Sequence, residues 1–443
     1  YAITFAGNQI STTQPIDMNA GSAVAITVGQ QPGTVKNRDA FAADLTAVLR
    51  DAWGNHASAD SSSTVTAQLF DSTGSSVGAE SAAVTAASGT VTFTGLSFNA
   101  APASGYQVKF KLVSNAALVM STPFTINPGD ATQLVIVRSP ASVEADSTTT
   151  KTGNVLPTQP IVKLLDQDNY LVTTANTGAA TIRIKSGAAG NLTEGVTTAN
   201  FVGGIANFAG VVLVGTPGVS YTFDFASASP NPVLTSGASS AVSVIHNDAT
   251  HLVVTQQASG GRSGDAFAVQ PKVAIKDRYE NTVTSGPSAN LTIRANAAIT
   301  APTAGAADVN GGSQRPASFG EATFVSLGIT GRDTNTYKLT FSISNSSIAA
   351  ATQTGITIGY GYSSRVVLTV PPAGGNATGS PLATQPVLEV QDASGNKVQD
   401  SNDVVIVSIA SAAGATLADG SAARLAGHTV ANTPGKAVGA VNG

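Results

Sequence analysis

Between Phe41 and Leu49 apolar and polar side chains alternate, with Phe41, Ala43, Leu45, Ala47 and Leu49 on one face, and the run ends at Asp51. The register returns as Phe267, Val269, Pro271, Val273 and Ile275 ahead of Asp277. Successive side chains of a strand point to opposite faces, so alternation of this length predicts a half-buried strand. Its closing aspartate recurs at Asp51, Asp166, Asp277 and Asp392, separated by 115, 111 and 115 residues. Turns follow at Asp51–Asn55, Asp166–Asn169, Asp277–Asn281 and Asp392–Asn396. Aspartate accepts backbone N–H bonds from residues further along, and Gly and Asn tolerate positive φ. Leu291 with Ile293, and Val405 with Val407, then mark the next strand. Gly89–Phe93, Gly204–Phe208 and Gly320–Phe324 open another. After these comes a triplet Tyr-x-apolar-x-Phe: Tyr106, Val108, Phe110; Tyr221, Phe223, Phe225; Tyr337, Leu339, Phe341. Tyr1, Ile3 and Phe5 repeat it, and the four tyrosines are 105, 115 and 116 residues apart. Helical periodicity is sustained nowhere.

A period this long belongs to autonomous domains, since solenoid turns repeat every 20–50 residues. About seven short strands per period predict an all-β chain of tandem immunoglobulin-like β-sandwich modules in an elongated rod. The expected boundaries are a terminal strand pair at 1–21, modules at 22–130, 131–247 and 248–363, and an incomplete module at 364–443 lacking its last two strands. Gln-Pro recurs at Gln159-Pro160, Gln270-Pro271 and Gln385-Pro386. Proline cannot donate to a ladder, so it belongs at an edge, a strand start or a bulge.

These motifs together resemble the bacterial immunoglobulin-like repeats of large surface and secreted proteins, as in adhesins and invasin-type stalks. The resemblance rests on Ala249 to Leu252, Gln270 to Asp277 with Asn281, Gly320 to Phe324, and Tyr337 to Phe341, and it covers essentially the whole chain. It implies the sandwich fold; such modules serve as spacers, filament subunits and binding heads alike. The first module departs from the pattern with Asp44-Leu45 in place of Gln-Pro. The fourth departs with Arg424-Leu425 near its expected Gly-x-Ala-x-Phe strand.

The repeats are cut out of phase. Residues 1–21 hold the content of two closing strands, with Tyr1, Ile3 and Phe5 in one and Ile16 and Met18 in the other, while the fourth module lacks that pair. A short hairpin is marginal alone in water, and an unclosed sandwich exposes strand edges that invite pairing. Two arrangements follow: head-to-tail strand complementation between copies of the chain, which builds open filaments, or one window of a longer continuous polypeptide. Both read as a structural segment of an extracellular fibre, sheath or stalk. The alternative is an adhesin stalk or binding module whose recognition head lies elsewhere.

Composition narrows the chemistry. Only 11% of residues are charged and the net charge is -4, so no basic field exists to hold nucleic acid. No stretch approaches a membrane span. Hydroxyl-rich tandem β modules with few lysines fit an exported prokaryotic protein, at the cell surface or outside it, with cell-surface or carbohydrate contact as a further partner class. The chain has no cysteine and four histidines. His246 and His251 would need further zinc ligands, and isolated surface histidines are the simpler reading. Asp166 and Asp168 in one turn, and Asp130 and Asp248 at the two junctions, form a candidate set for Ca²⁺, which takes six to eight oxygens; turn-forming aspartate is the alternative. Trp53, Tyr170 and Tyr279 fall in the same turn region of three modules, where an aromatic can pack back on the sandwich end, touch the next module or bind a partner; packing against the neighbour is the first reading. No nucleophilic triad, phosphate loop or spaced carboxylate pair emerges, so neither catalysis nor a cofactor is expected.

Overall fold

The computed structural model describes residues 2–8, 10–16, 18–140, 149–187, 190–228, 233–302, 305–344, 347–374, 381–407 and 436–439. Among them the chain is all-β, with one 3-10 turn at Pro287–Asn290. It divides into two compact units, Tyr1–Ile245 and His246–Gly443.

The first unit holds two hydrophobic cores. In one, Leu45–Arg50 lies between Ala25–Val28 and Thr90–Phe93. A second sheet pairs Ala103–Leu112 with Thr64–Phe70 and Phe124–Asn127. The alternating strand buries Leu45, Ala47 and Leu49 against Val65, Ala67, Val108 and Phe110 of the other sheet. In the other core, Ile161–Leu165 pairs Gln133–Arg138, and Ala179–Ser186 pairs Ser220–Ser227. The second unit repeats the plan: Lys272–Asp277 between Ala249–Gln256 and Glu321–Thr323, and Thr292–Ala301 beside Thr336–Ser342.

The tyrosine triplet forms the centre of each core. Tyr221, Phe223, Phe225, Tyr337, Leu339 and Phe341 are fully buried, as are Val108 and Phe110. The last Phe of each triplet meets the Phe of the glycine-led strand: Phe93–Phe110, Phe208–Phe225 and Phe324–Phe341 each have ring centroids 5.3 Å apart. The tyrosine hydroxyls bond five residues back. Tyr106 Oη donates to the Ala101 carbonyl at 2.7 Å and Tyr337 Oη to that of Arg332 at 2.7 Å, while Tyr221 Oη accepts from Thr216 N–H at 2.8 Å. Such a corner pins the loop that enters the strand.

The glycine-led strand opens on a two-residue hairpin turn. Its central residues, Ser88-Gly89, Gly203-Gly204 and Phe319-Gly320, all have positive φ, the pattern of a type I′ turn. A Cβ on Gly89, Gly204 or Gly320 would sit 2.4–2.5 Å from the carbonyl oxygen of Ala57, Val172 or Val283, so the position is closed to any side chain. The hairpin carries the chain from one sheet to the other. In the first and third cores it makes a single bridge, Ala87 to Thr90 and Ser318 to Glu321. In the second it extends to two pairs, Phe201–Ala206 and Val202–Ile205. That extra pair fuses both sheets into one continuous nine-stranded sheet, so the expected row of separate two-sheet modules is not uniform.

Gln-Pro stands immediately before the strands Ile161–Leu165, Lys272–Asp277 and Val387–Gln391. The glutamine side chain supplies bonds that proline cannot make. Gln270 Nε2 donates to the Phe267 and Leu327 carbonyls at 2.7 and 3.0 Å, and its Oε1 accepts Leu327 N–H at 2.9 Å. Gln159 Oε1 accepts Val211 N–H at 2.9 Å. In the first repeat Asp44 takes this role, its Oδ1 accepting Gly95 N–H at 3.1 Å.

Ala2–Gly7 and Ile10–Pro15 form a separate antiparallel two-stranded sheet. In the fourth repeat Arg365–Val370 pairs Val387–Gln391, and Val404–Val407 pairs Lys436–Gly439. Tyr1, Arg424 and Leu425 lie outside the described residues.

Candidate functional site

Each repeated aspartate is buried and ties its own turn to the segment entering its repeat. Asp51 Oδ1 accepts Trp53 N–H at 2.9 Å and Asn55 N–H at 2.8 Å, and Oδ2 accepts Gly21 N–H at 3.0 Å. Asp166 does the same with Asp168 and Tyr170 N–H, and with Gly129 N–H at 2.9 Å. Asp277 holds Tyr279, Asn281 and, at 2.8 Å, Asn247. Asp392 holds Asn396 and, at 2.7 Å, Gly361. Burial pushes the Asp51 carboxyl up, but the bonds from Gly21, Asn55 and Trp53 outweigh it and hold the pKa at about 2. Asp277 and Asp392 are likewise lowered against the effect of burial by their N–H donors. An ionised carboxylate receiving several N–H bonds favours its charged form strongly.

Within each unit one of these turns meets the preceding repeat, the Asp166 turn in the first and the Asp392 turn in the second. The residue two beyond the aspartate contacts the residue fourteen before the previous aspartate. Asn37 Nδ2 donates to Asp168 Oδ2 at 2.7 Å, and Ser263 Oγ lies 2.9 Å from Ser394 Oγ. Arg38 adds a two-point contact, Nε to Oδ2 and Nη2 to Oδ1 of Asp168, both 2.7 Å. That pairing, led by the Arg38 hydrogen bonds, lowers the Asp168 carboxyl. Lys36 meets Asp130 at 2.6 Å. At the equivalent place in the second unit Asn396 Nδ2 donates to the Gly331 carbonyl at 2.9 Å, its Oδ1 accepts Asp333 N–H at 3.0 Å, and Arg332 reaches the Gly395 carbonyl at 3.1 Å. Asn37 and Ser263 also lock their own loops, Asn37 Oδ1 accepting Ala100 N–H at 2.9 Å and Ser263 Oγ accepting Gly331 N–H at 3.1 Å; in the second repeat Thr152 Oγ1 accepts Gly215 N–H at 3.0 Å.

This geometry places the residues considered for calcium. The oxygens of Asp166 and Asp168 face N–H donors, Asp130 is paired with Lys36, and Asp248 N–H donates to Asn247 Oδ1 at 2.7 Å. Among the described residues no three His, Asp or Glu side chains are grouped to hold a metal ion. His246 is buried rather than on the surface, its ring nitrogens 2.8 Å from the Asn247 carbonyl and 2.7 Å from Ser285 Oγ. The aromatic turn positions also resolve. By hydrogen-bond register Trp53, Asp168, Tyr279 and Ser394 are equivalent, whereas Tyr170 sits two residues later. Trp53 is 89% exposed.

The hairpin of residues 2–16 displays apolar side chains that the other repeats bury. Ile3 and Phe5 correspond to Val108 and Phe110; Ile16 and Met18, three residues ahead of Gly21, correspond to Phe124 and Ile126, three ahead of Gly129. The latter four are all buried, while Phe5 is 60% and Met18 71% exposed and Ile3 and Ile16 are also exposed. A complementary position is uncovered in the fourth repeat. Ile26, Leu134 and Leu252 each pair with the residue two before an aspartate and are buried. Val366 pairs with Val390 in the same register but is 49% exposed, as is Leu368. Val404–Val407, which corresponds to strands that pair with a tyrosine strand elsewhere, has its ladder partner in Lys436–Gly439.

No family model matches the sequence, and no curated protein matches it. Among solved structures, a trypsin-activated alpha-2-macroglobulin from Escherichia coli aligns over 92% of this chain at 11% identity with a TM-score of 0.18. The chain spans 27% of the length of that protein. An ICAM-5 D1-D4 ectodomain fragment aligns over 94% of this chain and 91% of its own at 8% identity, with a TM-score of 0.26. No helix among the described residues is long and apolar enough to cross a membrane.

Proposed function

We propose that this chain is a structural segment of an extracellular fibre, sheath or surface stalk, built of immunoglobulin-like sandwich repeats in tandem and extended by strand complementation. The observation that carries this reading is the inverted burial of residues 2–18: the side chains that fill the core elsewhere are here presented to solvent. Covering four such side chains is worth about 6–12 kcal/mol at roughly 1.5–3 kcal/mol each, before the cost of association. A hairpin that is marginal alone gains that energy by packing its apolar face into another sandwich. Bonded junctions between successive repeats, found within each unit, are what a load-bearing segment needs. The dispersed, low charge suits packing in an assembly more than steering a charged ligand.

Deletion of residues 1–21 tests the reading. The truncated chain is expected to keep its three cores, seen as an unchanged urea transition, and to lose assembly in sedimentation. Assembly at full strength after the deletion would overturn complementation by these strands.

A further inference from the structure

We infer that Arg332 and Arg365 form a binding site for an external oxyanion where the third repeat meets the fourth. The position three beyond each repeated aspartate has positive φ in all four repeats, at Gly54, Asn169, Glu280 and Gly395. In the ladders, Gln133, His251 and Arg365 each pair with the residue just before the aspartate, which sets them beside that position. Two of the repeats supply an acceptor there from within the chain. Gln133 Nε2 donates to Asn169 Oδ1 at 3.2 Å, and His251 Nε2 lies 3.0 Å from Glu280 Oε1. In the first repeat donor and acceptor are both absent, the positions being held by Ala25 and Gly54. The fourth repeat has the donor, Arg365, and a glycine where the acceptor would be.

A second guanidinium converges on the same spot. A Cβ on Gly395 would lie 2.8 Å from Arg365 Nη2 and 3.3 Å from Arg332 Nη2. The two nitrogens are therefore separated by no more than the sum of those distances, about 6.1 Å. An oxyanion accepting from each at roughly 2.9 Å spans that gap. Each arginine is fixed through another nitrogen, Arg332 Nη1 on the Gly395 carbonyl at 3.1 Å and Arg365 Nε on Gln391 Oε1 at 3.1 Å. Neither guanidinium has a carboxylate partner among the described residues. Asp392 in the same turn points its oxygens at the N–H groups of Gly361 and Asn396, and Arg262 is matched with Asp400 at 3.5 Å. In the first unit the corresponding junction has its acid in the chain, since Arg38 meets the Asp168 carboxylate at two points. Two like charges this close repel. An added carboxylate, sulfate or phosphate group relieves the repulsion through charge-assisted bonds, for which the guanidinium fork is suited. Arg332 belongs to the third repeat and Arg365 to the fourth, so a bound oxyanion bridges the two and stiffens their junction.

The test is a titration of the full-length chain with inorganic phosphate, sulfate or glucuronate, at constant ionic strength set with chloride. NMR follows the Gly395 and Asn396 amides and the Arg365 Nε–H. The expected result is a saturable shift confined to this junction with at least one of the three. Phosphate and sulfate report a tetrahedral group, and glucuronate a sugar carboxylate. Arg332→Gln combined with Arg365→Gln, both at exposed positions, is expected to weaken that binding about ten-fold or more. An otherwise unchanged spectrum of the double variant shows that its fold is intact. Gly395→Asn, which supplies the acceptor that Asn169 provides in the second repeat, is expected to compete with the anion and weaken binding several-fold. Shifts that stay linear in concentration with all three anions, or that persist in the double variant, would overturn the site.

Discussion

A single carboxylate does two jobs at every repeat, and at Asp51 the bonds it collects favour its ionised form. Asp51 collects N–H bonds from Trp53, Asn55 and Gly21, so the turn and the incoming segment are held by one charge. In the folded chain its pKa is about 2, against about 3.9 when unfolded. Protons therefore bind the unfolded state first as the pH falls. The stabilisation is complete above about pH 4, declines from there, and is gone once the pH passes below the folded value near 2. Asp277 and Asp392 are shifted in the same direction and add to the same acid limb. Stability measured by urea titration is expected to fall between pH 4 and 2, with Trp53 emission reporting the loss at its own turn. Asp51→Asn should flatten that limb at the first core; an unchanged acid profile in the variant would show that the charge does not hold the turn.

At the level of elements, the type I′ hairpins decide how two sheets become one core. Gly204 has φ near 75°, and a Cβ there would lie 2.5 Å from the Val172 carbonyl oxygen. Gly204→Ala is expected to cost more than about 1 kcal/mol, read as a lower urea midpoint with the m-value unchanged. Gly203→Asn, at the neighbouring position where a side chain meets nothing within 4 Å, should cost far less. The strands flanking these turns were legible in the sequence because period-two alternation and the tyrosine triplet are local signals. Of the terminal hairpin the first strand was legible, since Ile3 and Phe5 copy a core pattern; the second was not, because it runs Ile10–Pro15, ahead of Ile16 and Met18 where the second strand was expected. The fused sheet of the second repeat was not, because it depends on one extra pair, Phe201 with Ala206, beside a turn shared by all three. Nor were the clamps of Gln159, Gln270 and Asp44, whose only trace is a fixed spacing of seven residues before the aspartate. The junction contacts were hidden for a related reason. Asn37 and Asp168 are 131 residues apart, and polar side chains on loops carry no periodicity.

For the molecule as a whole, the question is whether neighbouring repeats behave as independent beads or as coupled bodies. Surface ion pairs contribute little in general, and Arg38 and Asp168 are both partly open to solvent. Three features raise this one above the median. It is bidentate, Asn37 donates to the same carboxylate, and Asp166 in that turn is buried and already anchors Gly129. Charge-assisted, two-point geometry of this kind is stronger than a single contact. A double-mutant cycle of Arg38→Ala and Asp168→Ala is expected to give a favourable coupling, smaller at high salt because the pair is accessible to ions. The cycle should also change cooperativity. In the native chain, amides of the first core around Val108 and of the second around Phe223 should share one opening free energy by hydrogen exchange. In the double variant they should separate. A coupling of zero, with the two sets of amides already distinct in the native chain, would mean that the junction aligns the repeats without making them fold together, and a segment of that kind would yield under load one repeat at a time.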